Sequence, residues 1–468
     1  MNKNDIFIGI VETLGVNGEG IIKKDGKTVF LPFALPNEKV EYKILKVKGN
    51  VAYAKLIDVK TPSISRLKPK CAVFSKCGGC QLQHLKYSEQ LKAKSETVRN
   101  CLSKIAFIDR EVPTAIASKA EYGYRNKLQL PVREQNGEIA VGFFAPNSHR
   151  VIDIEDCPIH PKWCKQMIFA IKRFIAKSGV TAYNEETGKG LIKHLVAREI
   201  EKRLLITIVI NGKTLPKADT LIEIIKSEFD GDFSLYVNVN EKNTNVIFGE
   251  KFICLFGREK IETSELGVSY EIGPQSFMQV NDGMRGELYK TALKVANPDL
   301  DTVVIDAYSG AGLLTALFAK DSKKSIGIEI VKEAVESADG LKALNHIDNM
   351  ENICASCEDV LPEILERERK SGAKCVLVLD PPRQGADVKV IEAIKKSLPE
   401  RIVYISCSPQ TLSRDLGLLI GTLRYDGNNI VKSPICEKPT YRLTYIQPFD
   451  LFPQTKHVET VVLLTRGA

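Results

Sequence analysis

From about residue 265 onward the sequence alternates short apolar runs with helical patterns, and this alternation restricts the possible folds more than any other feature. The runs are Val303 to Asp306, Ser325 to Glu329, Cys375 to Asp380, Ile402 to Ser406 and a final Val458 to Leu464. Strands separated by helices predict a parallel sheet covered by helices on both faces. Upstream the pattern changes. Residues 124 to 260 mix strands (Leu128 to Val132, Leu204 to Ile210, Leu235 to Val239) with helices (Lys165 to Lys177, Ala218 to Phe229), an α+β region. Residues 6 to 58 divide into Ile6 to Val11, Thr28 to Phe33, Val40 to Val47 and Val51 to Val59, punctuated by glycines. Strands this short and evenly spaced fit a small closed barrel. A length of 468 residues, at roughly 150 per domain, agrees with three domains, taken as 1–60, 61–264 and 265–468.

Between the first two patterns, Ser88 can cap a helix over 88–106 that packs on the third domain. It presents Leu91, Val98, Leu102 and Ile105 on one face and turns Lys92, Lys94 and Arg99 outward. The net charge of +8 is uneven. Residues 1–110 hold 20 basic and 10 acidic side chains, while the other 358 hold 46 and 48. That asymmetry fits either a polyanion partner or a solvated lysine-rich surface. The most apolar stretch near the middle, Leu204 to Ile210, falls far short of a membrane-spanning helix. The start, Met1 to Asp5, leads into an alternating segment with no apolar signal core, so the expected location is the cytoplasm. Twelve cysteines in such a chain point to reduced thiols, metal ligands or a nucleophile more than to disulfides.

Three strand ends carry chemistry. The first runs Asp306-Ala307-Tyr308-Ser309-Gly310-Ala311-Gly312 into a helical pattern, and Gly310 and Gly312 let the backbone approach a ligand closely. Glu329 ends the next strand, where a carboxylate can accept hydrogen bonds from ribose hydroxyls. Position 315 is Thr, so the third glycine of the dinucleotide fingerprint is missing. A nucleoside cofactor without a pyrophosphate, S-adenosylmethionine, is therefore favoured over NAD. The third end is Asp380-Pro381-Pro382-Arg383, whose consecutive prolines fix a rigid mouth with Asp380 directed into the pocket.

Cys407, in Ser406-Cys407-Ser408-Pro409, follows another strand. Beside a methyl donor a thiol has a clear use. Carbon 5 of a pyrimidine is a poor nucleophile until a thiolate adds to carbon 6, and a base must then remove the carbon 5 hydrogen. His457 and Glu459, at the start of the last strand, are both candidates for that base.

Taken together, these segments resemble the RNA uracil-5 methyltransferases. The resemblance rests on Cys71-x5-Cys77-Gly-Gly-Cys80-Gln-Leu-Gln-His84, Tyr124-Arg125-Asn126-Lys127, Ser276-Phe277-Met278-Gln279-Val280-Asn281, Asp380 to Arg383, Ser406 to Pro409 and His457-Val458-Glu459. It implies three domains: an N-terminal TRAM domain, an OB-like β-barrel; a central α+β domain with an iron-sulfur loop; and a Rossmann-like α/β methyltransferase domain. It makes Cys407 the nucleophile and Glu459 the base, and sets Gln279, Tyr308, Glu329 and Asp380 against cofactor or target base, with Gly310 and Gly312 in the cofactor loop. Leu313 and Ser356 stand where relatives carry Asn or Asp. Cytosine-directed relatives carry a second cysteine in the segment matching 380–383, which this chain lacks, so uracil is implied. Cys71, Cys77, Cys80 and Cys157 match the ligands of a 4Fe-4S cluster, although their spacing alone would also suit zinc. Seven cysteines have no assigned role. Arg125 and Lys127, close to Tyr122 and Tyr124, form a mixture suited to phosphate contacts and base stacking. The expected partner is RNA, with 23S rRNA ahead of tRNA, and the expected state is a monomer.

Overall fold

The computed structural model describes residues 1–427, 429–433 and 440–467, so Cys436, one of the seven unassigned cysteines, lies outside them. Seven strands form the last sheet: β1 (Thr302–Ala307), β2 (Lys324–Glu329), β3 (Met350–Cys354), β4 (Lys374–Leu379), β5 (Arg401–Ser406), β6 (Tyr441–Phe449) and β7 (Glu459–Arg466). Their order is β3-β2-β1-β4-β5-β7-β6. The first five are parallel, as the alternation predicts. The final strand is not: β7 lies antiparallel between β5 and β6. The connection 450–458 is too short for the dozen or more residues of a crossover, so β6 and β7 must pair as antiparallel neighbours. Apolar side chains fill both faces of the sheet. Ile305, Leu377 and Tyr404 pack under helices Cys357–Ser371, Val388–Ser397 and Pro409–Ile420. Val304, Val376 and Val403 pack under Asp282–Ala296 and Leu313–Ala319. The strand order reverses between β1 and β4, and a ligand crevice opens outside the carboxyl ends there.

A second seven-stranded sheet runs Lys251–Phe256, Phe233–Val239, Arg203–Ile210, Ile192–Ile200, Lys127–Gln135, Glu138–Phe144, Val151–Asp153 in spatial order. One face is covered by helices Trp163–Ser178 and Ala218–Glu228. Its middle strand, Ile192–Ile200, had no counterpart in the sequence reading, because Lys193, His194 and Arg198 interrupt its apolar run. All three are nevertheless buried. Near the start of the chain a six-stranded sheet is bounded by Ile6–Ile10 and Thr13–Leu14, which are successive parts of one bent stretch. Val11, Val29, Leu31 and Tyr42 fill its interior. Among the described residues no helix is long and apolar enough to cross a membrane.

Helix α1 (Tyr87–Cys101) joins these parts and corrects two expectations. It begins at Tyr87 with Lys86 at the N-cap, so Ser88 is not the cap. Lys94 does not face solvent: it is 1% exposed, and its ammonium donates to Asp450 Oδ1 at 2.5 Å and to the Phe452 carbonyl at 3.0 Å. Val98 and Leu102 pack into the core beneath β1 and β4. An ammonium enclosed this far needs a carboxylate partner, and here the partner lies 356 residues away. Burial pushes the Lys94 pKa down while Asp450 opposes the shift. Lys94→Met would leave the Asp450 charge without its partner. The expected loss is about 3–5 kcal/mol, read as a lower urea midpoint, and Lys94→Met with Asp450→Asn should recover part of it.

Candidate active site

The loop after β1 starts with strain. Tyr308 has φ of +68°, a left-handed conformation that a bulky side chain adopts only when its surroundings enforce it. Its hydroxyl donates to Glu358 Oε1 at 3.3 Å, and the other Glu358 oxygen accepts from Ser356 Oγ. Gly312, at φ +78°, must be glycine, since a Cβ there would sit 2.6 Å from the Ala338 Cβ. Glu329 at the end of β2 is held by two backbone amides: Gly310 N–H donates to Oε2 at 3.0 Å and Val331 N–H to Oε1 at 2.8 Å. A carboxylate fixed this way keeps lone pairs to accept from two neighbouring hydroxyls, the pattern a ribose offers.

These groups line a cavity of about 1620 Å³ that also takes in Gln279, Gly310, Asp380, Cys407 and Glu459. The sequence-derived cofactor and catalytic residues therefore converge, apart from Gly312, which shapes the loop from behind. Glu358 lines the same cavity and was missed. Its signal was its place in the first turn of the helix after β3, two residues beyond Ser356.

Register brings the two catalytic candidates together. Strands β5 and β7 pair from Arg401 opposite Thr465 to Ser406 opposite Thr460; Cys407 follows the last paired residue of β5 and Glu459 precedes that of β7, so both stand at the same end of the ladder. His457 also lines the cavity, but it lies outside that register. Glu459 is 4% exposed. Burial, and then the Asp380 charge, hold its carboxyl well above the usual range, with Arg383 opposing. Burial pushes Asp380 up to about 7. The Cys407 thiol is pushed up to about 11 by burial and the Glu459 charge, against the pull of Arg383. His457 is held down to about 4, first by burial and then by Arg383, so it stays neutral near pH 7.

A second cavity, about 340 Å³, is lined by Cys71, Cys77, Cys80 and Cys157. Arg383, Phe452 and His457 line both cavities. Among the described residues no three His, Cys, Asp or Glu side chains are placed to hold a metal ion. Arg125 lines this second cavity, and its backbone N–H donates to the Ile159 carbonyl at 2.9 Å. Lys127 is half-buried with its ammonium 5.8 Å from the Phe248 ring, and burial lowers its pKa to about 8. Tyr124 is buried, and its hydroxyl donates to the Pro453 carbonyl at 3.0 Å. It supports the loop before β7 and cannot serve as a stacking platform.

The profile of the tRNA (Uracil-5-)-methyltransferase family matches residues 86–467, and that of the TRAM domain matches 10–57. RNA methyltransferases of Clostridium tetani and Clostridium acetobutylicum are 38% and 39% identical to this chain. These relatives cover 99% and 100% of it, and 97% and 98% of their own lengths. The crystal structure of Pyrococcus abyssi tRNA (uracil-54, C5)-methyltransferase in complex with S-adenosyl-L-homocysteine is similar, with a TM-score of 0.76 and 26% identity. The match covers 98% of this chain and 99% of that one. The fold and site define an S-adenosylmethionine-dependent RNA methyltransferase. The chain belongs to the tRNA (uracil-5-)-methyltransferase family and carries a TRAM domain at its N-terminus.

Replacing Glu329 by Ala removes an ionised acceptor worth about 1.5–3 kcal/mol. Calorimetric titration should therefore show S-adenosylmethionine binding roughly 10- to 100-fold more weakly.

Proposed function

We propose that this chain methylates carbon 5 of a uridine in RNA, with Cys407 as nucleophile and Glu459 as base, and that the substrate is 23S rRNA. The observation carrying this reading is that Cys407, just past the end of β5, and Glu459, at the start of β7, line the cavity that holds Glu329 and Asp380, with the Glu459 charge acting on the Cys407 thiol. The Cys407 thiolate forms a bond to carbon 6, and carbon 5 gains carbanion character. The cofactor, when bound, supplies an electrophilic methyl group to that carbon. Glu459 then takes the carbon 5 proton, the C5=C6 bond re-forms, and the thiolate leaves. Buried and raised in pKa, Glu459 is a stronger base than an exposed carboxylate. Gln279, Tyr308, Glu329, Asp380 and the turn at Gly310 and Gly312 position cofactor and base.

The reading divides the chain into 1–60, a closed RNA-binding barrel; 61–264, which carries Arg125 and Lys127 for RNA; and 265–468. It takes the protein as a cytoplasmic monomer. Cys71, Cys77, Cys80 and Cys157 would hold a 4Fe-4S cluster. Four thiols lining one cavity suit such a group, and the resemblance of these four positions to the family's cluster ligands sets a cluster ahead of one zinc ion. Such a group would cross-link the loop to Cys157. A tRNA substrate is the second reading. It is favoured by the P. abyssi protein, a tRNA methyltransferase whose match extends over 98% of this chain, the N-terminal sheet included.

Two measurements test the proposal. Nucleoside mapping in a strain lacking the gene should show 5-methyluridine lost from 23S rRNA; loss from tRNA alone would favour the second reading. RNA containing 5-fluorouridine should form a denaturation-resistant complex with the wild type and none with Cys407→Ala. Because the thiol is raised to about 11 and the thiolate is the reactive form, complex formation should climb about tenfold per pH unit between pH 7 and 9.

A further inference from the structure

Glu459 is the first residue of β7, and the segment before it is held by elements far from the catalytic sheet. The Gln454 carbonyl accepts from the backbone N–H groups of Gln81 and Leu82 at 3.2 and 2.9 Å. Gln454 also exchanges side-chain and backbone hydrogen bonds with Gln90, both at 3.0 Å. Tyr124 holds the Pro453 carbonyl and Lys94 that of Phe452, each at 3.0 Å.

Gln81 makes the most direct link. Its Nε2 donates to the carbonyl of Gly78, between Cys77 and Cys80, at 2.9 Å. Its Oε1 accepts from the Lys456 N–H at 3.2 Å, three residues before Glu459. One amide thus spans the cysteine loop and the segment that aims the base. The two cavities share Arg383, Phe452 and His457, so this bridge runs beside their common wall.

Resting on the proposed roles of Cys407 and Glu459, we infer that Gln81 is a positioning residue for proton abstraction, through which the four-cysteine loop sets the aim of Glu459. In that step the C5–H bond breaks and its proton passes to the Glu459 carboxylate. The electron pair left on carbon 5 forms C5=C6, and the Sγ–C6 bond breaks with its pair leaving on the Cys407 thiolate. Thiol addition and methyl transfer need Cys407 and the cofactor loop, neither of which Gln81 touches. A displacement of about 1 Å in a reacting group can cost 100-fold in rate. Loss of the bridge should therefore slow the last step alone and leave methylated RNA attached to the protein.

The test compares full-length wild type, Gln81→Ala and Cys407→Ala on RNA carrying uridine tritiated at carbon 5, in single turnover with S-adenosylmethionine. Two quantities are followed: protein–RNA adduct surviving denaturation, and tritium released to water. Gln81→Ala should accumulate adduct while release slows at least about tenfold, with S-adenosylmethionine affinity within twofold of wild type. Release within twofold of wild type would overturn the inference, as would equal falls in adduct formation and release, which mark a general structural defect. Gln454→Ala removes a different tie of the same segment. It should give the same split, and decides the matter if Gln81→Ala fails to fold. An adduct that persists in Cys407→Ala would instead refute the nucleophile assignment on which the inference rests.

Discussion

Lys94 and Asp450 meet at 2.5 Å with side-chain exposures of 1% and 0%, joining a helix from the first quarter of the chain to the loop before its last strand. Neither charge could remain in that position alone, because an isolated ion in such surroundings loses its hydration without recompense. The pair is therefore a mutual condition: α1 docks on the catalytic sheet only if loop 450–458 is folded, and the reverse also holds. Tyr87 and Ser95 of the same helix fix the chain that follows, Tyr87 by accepting the Ser118 N–H and Ser95 the Ala115 N–H, both at 2.8 Å. One ion pair and its neighbours thereby settle how the N-terminal elements sit on the methyltransferase sheet.

The two halves of the site consequently have different origins. The cofactor half needs only strand ends and tight turns: Glu329 is clamped by amides of its own sheet, and Tyr308 is strained within its own loop. The cavity it forms carries Glu329, Glu358, Asp380 and Glu459, a concentration of carboxylates that favours a cationic ligand. Burial alone raises the Asp380 pKa, while Glu459 is raised first by burial and then by the Asp380 charge. The part around Glu459 depends on the rest of the chain.

That difference sets what the sequence could reveal. Parallel strands and the residues at their carboxyl ends were legible, since apolar runs, glycines and prolines act over a few positions. Chemistry alone left His457 and Glu459 equal, and the resemblance to the family chose Glu459; where each lies relative to Cys407 depends on pairing β7 with a strand more than fifty residues earlier, which no local pattern shows. Lys94 and Tyr124 were misread for a related reason. A lysine on a polar helix face and a tyrosine beside arginine have the local pattern of exposed residues, and only distant partners, Asp450 and the Pro453 carbonyl, bury them. Strand Ile192–Ile200 was missed because its buried cations break the apolar pattern, although Lys193 finds the carbonyls of Asn240 and Lys242 at 3.1 and 2.8 Å.

An irregular loop inside a protein has a difficulty that strands and helices solve by themselves: its backbone polar groups need partners. Loop 450–458 obtains them from outside its own sheet. Carbonyls of Leu451, Phe452, Pro453 and Gln454 accept respectively from Asn281, Lys94, Tyr124 and the Gln81–Leu82 amides. The Lys456 N–H is satisfied by Gln81. If the cysteine loop withdrew, the Gln454 carbonyl and the Lys456 N–H would lose their partners together, and water would have to enter beside Glu459 to replace them. Water there would restore Glu459 toward an ordinary carboxylate and loosen its position. Joining Glu459 to the N-terminal elements thus makes its dryness and its position one condition, met only when residues 81–124 are folded against the last sheet.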